Sequence, residues 1–198
     1  MTPKISIVVP FHWMQNWQFF LTRCLESIEK QTFEEYEIIL IKHSTMPITS
    51  NRVIESAKGD IIKVLYCDDW LESEDYLEKL YKGFSQFKSL EWAITSATNN
   101  KYPTWTNDLE TGNNKLGSPS ALAFRNRFED NYEQFFDEKL SWALDADLYK
   151  RLEKRFGQPM ILLDISVGIG IHDGQMTNIL TDQEKQKEFN YLKKKYGN

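Results

Sequence analysis

Asp68 and Asp69 stand side by side at the end of the apolar run Ile61, Ile62, Val64, Leu65, and Trp70 follows at once. Neighbouring carboxylates repel each other. A divalent cation would offset that repulsion and could hold a diphosphate at the same time. A turn leading into a helix also accepts two aspartates, so the pair alone leaves both readings open. Asp145 opens the segment DADLYKRLEKRFG, residues 145–157. A carboxylate there can share the proton of an attacking hydroxyl in a transition state, or it can cap the helix. Asp147 reads as a second acid in the first helical turn. His172 lies among Gly170, Asp173 and Gly174, the composition of a flexible turn. Arg125 and Arg127, in FRNRF, are candidates for phosphate or acceptor.

The elements that must position these groups alternate in the first half. KISIVVP (4–10), YEIILI (36–41), DIIKVLY (60–66) and EWAITSA (91–97) read as strands, the first stopped by Pro10. The segment 19–31 reads as a helix with Leu21, Cys24, Leu25 and Ile28 on one face. The next helix, 50–59, takes Ser50 as cap and Gly59 as stop, and 73–84 opens on Ser73 with Leu77, Leu80, Tyr81 and Phe84 inward. Such alternation implies right-handed crossovers and a mainly parallel sheet. Ligands of these sheets bind beyond the carboxyl ends of the strands, where Asp68 and Asp69 fall.

The second half is less regular. Residues 98–119 read as a long loop or ragged hairpin, and a loop of that length in a compact domain is expected to be functional, bordering the acceptor side of a cleft and mobile without ligand. A strand or short helix at 120–124 precedes the helix 145–157, with Leu148, Leu152 and Phe156 along one side. A strand at 160–164, a strand and turn over 166–177, and a terminal helix at 182–197 with Phe189, Leu192 and Tyr196 inward complete the chain.

With 198 residues, 41% apolar and 27% charged, the chain is expected to form one soluble globular domain. Its net charge of -5 argues against a broad electrostatic grip on nucleic acid. Cys24 and Cys67 lack metal-ligand spacing and read as free thiols in a reducing compartment. MTPKISIVVPF lacks the apolar core of a signal peptide, and no run reaches the length of a membrane span, so a cytoplasmic protein is expected.

The ordered pieces SIVVPF, EIILI, AKGDIIKVLYCDDWL, FDEKLSWALDADLYKRL and GIHDGQMT resemble family-2 glycosyltransferases of the GT-A fold along nearly the whole chain. Asn51, Gly59, Asp60, Ile62, Asp68, Asp69, Trp70 and Leu71 fall at that family's spacing. The family's metal motif is Asp-x-Asp followed by another Asp; here Tyr66 stands at the first position, Cys67 at the middle and Asp68 at the last. The resemblance implies Asp68 as a ligand of Mn²⁺ or Mg²⁺, and Asp69 against the donor sugar or a neighbouring amide. It makes Asp145 the base of an inverting transfer, although Leu144 replaces the glutamate that usually precedes it. It puts His172 near the diphosphate or the metal, and Pro10, Phe11 and His12 where the nucleotide is gripped. Trp13 and Trp17 could stack on a base or sugar. Lys42 and His43 replace the usual acidic pair after the second strand, which implies a base site other than the standard one for uridine.

The expectation is therefore a single α/β domain of GT-A type, with a mainly parallel mixed sheet flanked by helices. Residues 1–97 would bind the nucleotide-sugar and 98–198 the acceptor. Asp145 would be catalytic; Pro10, Phe11, His12, Lys42, Asn51, Asp68 and Asp69 would bind donor; Trp70, Arg125 and His172 would meet acceptor or phosphate; Asp68 and His172 would hold the metal. The acceptor class, whether glycan, small molecule, protein or modified DNA, is not legible. The alternatives are a degenerate, non-catalytic nucleotide-sugar-binding protein and a nucleotidyltransferase; PFHWMQNW lacks the glycine that the latter wants after its first strand.

Overall fold

The computed structural model describes residues 2–42, 45–127 and 135–197. His43 lies outside the described residues. In chain order the elements are β1 (Ile5–Phe11), α1 (Trp17–Glu29), β2 (Tyr36–Lys42), α2 (Met46–Glu55), β3 (Ile61–Val64), β4 (Trp70–Leu71), α3 (Tyr76–Gln86), β5 (Trp92–Ala97), β6 (Leu122–Arg125), α4 (Leu144–Phe156), β7 (Met160–Gly168), α5 (Met176–Ile179) and α6 (Asp182–Tyr196). They build one mixed seven-stranded sheet, ordered β2-β1-β3-β6-β5-β7-β4, flanked by helices.

The pairings fix the direction of every strand. β1 runs parallel to β2 and β3, β6 is antiparallel to β3 and β5, and β7 runs parallel to β5 and antiparallel to β4. Five strands thus end at one edge, at Phe11, Lys42, Val64, Ala97 and Gly168, while β4 and β6 run the other way. The segment leading into β6, at Ser118 and Pro119, joins that same edge, and the end of β6, at Arg125, lies at the opposite one.

Several boundaries differ from the sequence reading. The helix expected at 50–59 begins at Met46, because Pro47 fits a first helical turn. Ser50 is therefore buried within the helix instead of capping it, and its hydroxyl lies 3.3 Å from the Tyr66 hydroxyl. The third strand stops at Val64, and Tyr66–Asp69 forms a turn closed by the Asp69 N–H on the Tyr66 carbonyl at 2.9 Å. The break expected after residue 164 is an irregularity within one strand, β7, at its pairing with Thr95 and Ser96. The 98–119 loop is well anchored: Leu109 and Leu116 are fully buried, and Asn113 and Asn100 tie it together through Asp108 and the Lys115 carbonyl.

Gly59 has a physical reason for its place in the motif. A Cβ there would lie 2.6 Å from the Ser6 backbone nitrogen, while the Gly59 N–H donates to the Ser6 hydroxyl at 2.8 Å. Only glycine lets the chain pass this close to β1 as it enters β3.

The last helix is fastened by charge. Asp147 is fully buried and accepts from Arg151 Nε at 2.9 Å, Lys195 Nζ at 2.7 Å and the Tyr196 hydroxyl at 2.6 Å. Lys195 also meets Asp137 at 2.8 Å, as does the Tyr191 hydroxyl at 2.7 Å. Burial opposes ionisation of Asp137, but Lys195 and Tyr191 outweigh it and hold its pKa down to about 2. Its stabilising contribution is present above the unfolded pKa of about 4 and is lost as pH falls through about 2. Lys195→Met should destabilise the fold by about 3 kcal/mol, since it strips a partner from a buried carboxylate. Urea unfolding at neutral pH measures this, and a loss below about 0.5 kcal/mol would show the network to be dispensable.

Candidate active site

A cavity of about 200 Å³ opens at the edge where the five strands end, and His12, Tyr66, Asp68, Asp69, Trp142, Asp145 and His172 are among its lining residues. The titratable lining side chains come from the ends and starts of elements and the segments next to them. His12 follows β1, the Tyr66–Asp69 turn follows β3, His172 follows β7, and Asp145 lies in the first turn of α4.

Asp68 and His172, 104 residues apart in sequence, meet at 3.0 Å between Oδ2 and Nε2. The Gly174 N–H donates to His172 Nδ1 at 3.1 Å, so the ring proton resides on Nε2 and His172 donates to Asp68. Phe20 packs on the imidazole with centroids 4.8 Å apart. Arg23 donates from Nη2 to the Asp68 carbonyl at 2.7 Å and lies 3.7 Å over the Trp70 ring. A Cβ at Gly170 would come within 2.2 Å of the Asp68 carbonyl oxygen and 3.0 Å of Arg23, so glycine is required where the segment after β7 crosses the turn. Arg23 was absent from the sequence reading. It falls just off the apolar stripe of its helix, and nothing in the spacing marks it as a strut for the turn.

Asp69 is buried and points away from solvent. Its Oδ1 accepts the Gly170 N–H at 2.9 Å, the neighbouring-amide option of the two expected for it. Burial, reinforced by repulsion from Asp68, raises its pKa well above the usual carboxylate range. Lys63, fully buried below it, donates to the Ser120 carbonyl, and burial pushes its pKa down to about 7.

Asp145 is half-buried and held from two sides. Asn114 Nδ2 donates to its Oδ2 at 2.9 Å, and the Ala146 N–H to its Oδ1 at 2.7 Å. Burial dominates and raises its pKa to about 7, with Glu188 adding repulsion, against the lowering effect of the Ala146, Asp145 and Asn114 donors. A carboxylate with this poise suits general-base chemistry near neutral pH. A second cavity of about 320 Å³ adjoins Asp145 and Trp142 from the other side and is lined by Asn99, Asn114 and Ser118 of the 98–119 loop.

Other expected site residues are placed elsewhere. Arg125 sits at the opposite edge of the sheet, its Nε on the Leu90 carbonyl at 2.7 Å and its Nη2 on the Phe84 carbonyl at 2.8 Å. The antiparallel course of β6 carries it away from the cleft, which corrects its assignment to phosphate or acceptor. Arg127 pairs with Glu91 at 2.8 Å at that same far edge. Asn51 uses its amide on Phe136, accepting from its N–H at 2.7 Å and donating to its carbonyl at 3.0 Å. It pins the segment ahead of α4 and is not among the cleft residues, a correction to its donor-binding assignment. Trp70 packs its ring against Gly168 and under Arg23, outside the cleft, so its part is to support the turn. Pro10 and Phe11 are buried in β1, paired with Ile41 and Lys42. Lys42 Nζ lies 4.0 Å over the Trp13 ring, which is 58% exposed and stands 4.5 Å from Trp17.

A divalent cation can be tested against this donor set. Among the described residues Asp68 Oδ1 has no hydrogen-bond partner, and His12 Nδ1 is a buried polar atom without one. Among the same residues no group of three or more His, Cys, Asp and Glu is placed to hold an ion. The set fits a cation that takes one carboxylate from protein and its other ligands from a diphosphate and water. His172 fits a donor beside that cation better than a ligand, because ligation through Nε2 would set an Nδ1–H against the Gly174 N–H. Tyr66, at the place of the missing first aspartate, supplies a neutral phenol; burial raises its pKa.

No family model matches the chain. It is 25% identical over 126 residues to the glycosyltransferase GlyA of Streptococcus pneumoniae serotype 4, and 25% over 108 residues to the putative glycosyltransferase EpsH of Bacillus subtilis. These matches cover 50% and 41% of this chain but only 17% and 30% of the relatives, so the chain corresponds to a part of each. Among solved structures, TarS 1-349 of S. aureus in complex with UDP-GlcNAc superposes with a TM-score of 0.71 at 16% identity, over 96% of this chain and 65% of that one. The mannosyltransferase PcManGT of Pyrobaculum calidifontis, in complex with GDP-Man and Mn²⁺, superposes at 0.61 and 14% identity, over 88% and 59%. Among the described residues no helix is long and apolar enough to cross a membrane.

Proposed function

We propose that this chain, family-2-like in sequence and GT-A in fold, moves a sugar from a nucleoside-diphosphate sugar to an acceptor hydroxyl, with inversion and with a divalent cation. The observation that carries the reading is that Asp68, joined to His172, and Asp145, poised near neutral pH, line one cleft from separate elements. Asp145 accepts the proton of the acceptor hydroxyl as its oxygen bonds to the anomeric carbon. The bond from that carbon to the diphosphate oxygen breaks, and the diphosphate leaves with the electron pair. His172 donates from Nε2 toward the Asp68 side, and the buried His12 Nδ1 offers a partner to a phosphate oxygen. Bound on Asp68, Mn²⁺ or Mg²⁺ would neutralise the leaving diphosphate. The structural neighbours with UDP-GlcNAc and with GDP-Man and Mn²⁺ support a nucleotide-sugar donor and a cation. The alternatives, a binding protein without turnover and a nucleotidyltransferase, lack an equal use for Asp145.

Residues 1–97 supply the donor side and 98–198 the acceptor side of this arrangement, with the 98–119 loop lining both cavities. The test is a thermal-shift series of nucleoside diphosphates and their sugars, with and without Mn²⁺, because a bound ligand raises stability by mass action. A rise that needs both nucleotide and cation is expected; no rise with any of them would remove the reading.

The base is expected to stack near Trp13, with the Lys42 ammonium in place of an acid. UDP should therefore bind within about tenfold of GDP, a gap below about 1.4 kcal/mol. Calorimetry on the two measures this. A preference for UDP above a hundredfold that weakens in Lys42→Asp would count against this base site.

A further inference from the structure

We infer that Glu188, on the last helix, is a positioning residue for Asp145, holding the backbone turn ahead of α4 and fixing the charge that Asp145 feels. The catalytic meaning of this rests on the proposed role of Asp145. The Glu188 carboxylate accepts three backbone N–H groups, from Ser141 at 2.8 Å, Trp142 at 3.0 Å and Ala143 at 2.8 Å. The Ala143 N–H belongs to the start of α4, which leaves its first N–H groups without helical partners, and the Ser141 and Trp142 N–H groups belong to the turn before it; Ala143 has no side-chain acceptor for any of them. The acceptor comes instead from 45 residues downstream of Ala143.

Two consequences meet at the cleft. The first is geometric. Trp142 is part of the wall shared by both cavities. Its Nε1 donates to Thr177 Oγ1 at 3.1 Å, Phe189 packs on its ring at 5.1 Å, and Lys185 lies 5.3 Å over it. Lys185, Glu188 and Phe189 share one face of α6, so this face sets where the wall stands. The second is electrostatic. Asp145 lies in the first turn of α4, where the positive end of the helix would favour its anion. Glu188 sets a negative charge beside that end, and its repulsion adds to the larger effect of burial on Asp145. The other groups facing Asp145 are Asn114 from the loop, Tyr66 after β3, Tyr149 on its own helix, and Asp68, His12 and His172 around the cleft.

The test needs no substrate. Carboxyl-¹³C-labelled aspartate is titrated by NMR in the wild type and in Glu188→Gln, with the Asp145 signal assigned from its loss in Asp145→Asn. Glutamine keeps an acceptor oxygen for the turn but removes the charge. The Asp145 midpoint should fall by about a few tenths of a pH unit. A lower melting temperature with an unmoved midpoint would make Glu188 a helix cap only and overturn the inference. If Glu188→Gln fails to fold, Glu188→Asp, which withdraws the charge by one methylene, should still lower the midpoint, and an unmoved midpoint there overturns it equally. Loss of the glycosyltransferase reading would show separately, as a wild type that neither binds nor cleaves a nucleotide-sugar while the titration shift persists.

Discussion

Asp145→Asn should lower turnover by about 10² to 10⁴ while leaving donor affinity nearly unchanged. Asparagine keeps the shape and the contacts to Asn114 and Ala146 within reach, but it cannot take a proton. The same substitution should change stability in a pH-dependent way that a helix cap would not. Burial raises the folded pKa of Asp145 to about 7, against about 3.9 when unfolded. Between those values the unfolded chain has released a proton that the folded chain still holds, so this group makes stability fall as pH rises. Asp145→Asn removes that penalty. Its melting temperature relative to wild type should rise from pH 5 to pH 8. Activity of the wild type should climb over the same interval, as the base ionises. A mutant with near-normal turnover and a melting temperature lowered equally at both pH values would make Asp145 a cap and nothing more.

Asp68→Ala should abolish cation-dependent nucleotide binding and leave the fold intact. Among the described residues Asp68 Oδ1 has no hydrogen-bond partner, and removal of the side chain takes away the charge that opposes Asp69 as well as the contact to His172. The Arg23 contact is to the Asp68 backbone carbonyl and survives the change, so the turn should keep its course. Calorimetry with Mn²⁺ and a nucleoside diphosphate reads the loss. Affinity equal to wild type would place the cation elsewhere.

The strand and helix alternation was legible because each β-run is short, apolar and bounded by a turn, and because α1 and α3 carry clean apolar stripes. That alternation put Asp68 at the edge where the five parallel strands end, and the motif spacing brought Asp145 and His172 to the same cleft. What failed has a common cause. Spacing along the chain does not state strand direction, so Arg125 was read near the ligand although antiparallel β6 delivers it to the far edge. It does not distinguish a polar side chain that binds ligand from one that binds backbone: Asn51 spends its amide on Phe136, and Trp70 its ring on Gly168 and Arg23. It also hides partners far apart in sequence. Glu188 meets the 141–143 turn, Lys195 meets Asp137 and Asp147, and Lys63 is buried within a strand whose apolar neighbours alone were read as core. Within the 98–119 loop, Leu109 and Leu116 are buried, a packing that the Asn, Gly and Pro content around them does not announce.

The most direct measurement is release of nucleoside diphosphate from UDP-GlcNAc and from GDP-Man, with Mn²⁺ and after chelation, by the wild type, Asp68→Ala and Asp145→Asn. Water serves as a slow acceptor, so the true acceptor is not needed. The expected result is cation-dependent release by the wild type from at least one donor, none by Asp68→Ala, and release reduced by about 10² or more in Asp145→Asn despite normal donor binding. Release that persists in both variants, or a wild type that neither binds nor cleaves either donor, would contradict the assignment of this cleft to sugar transfer.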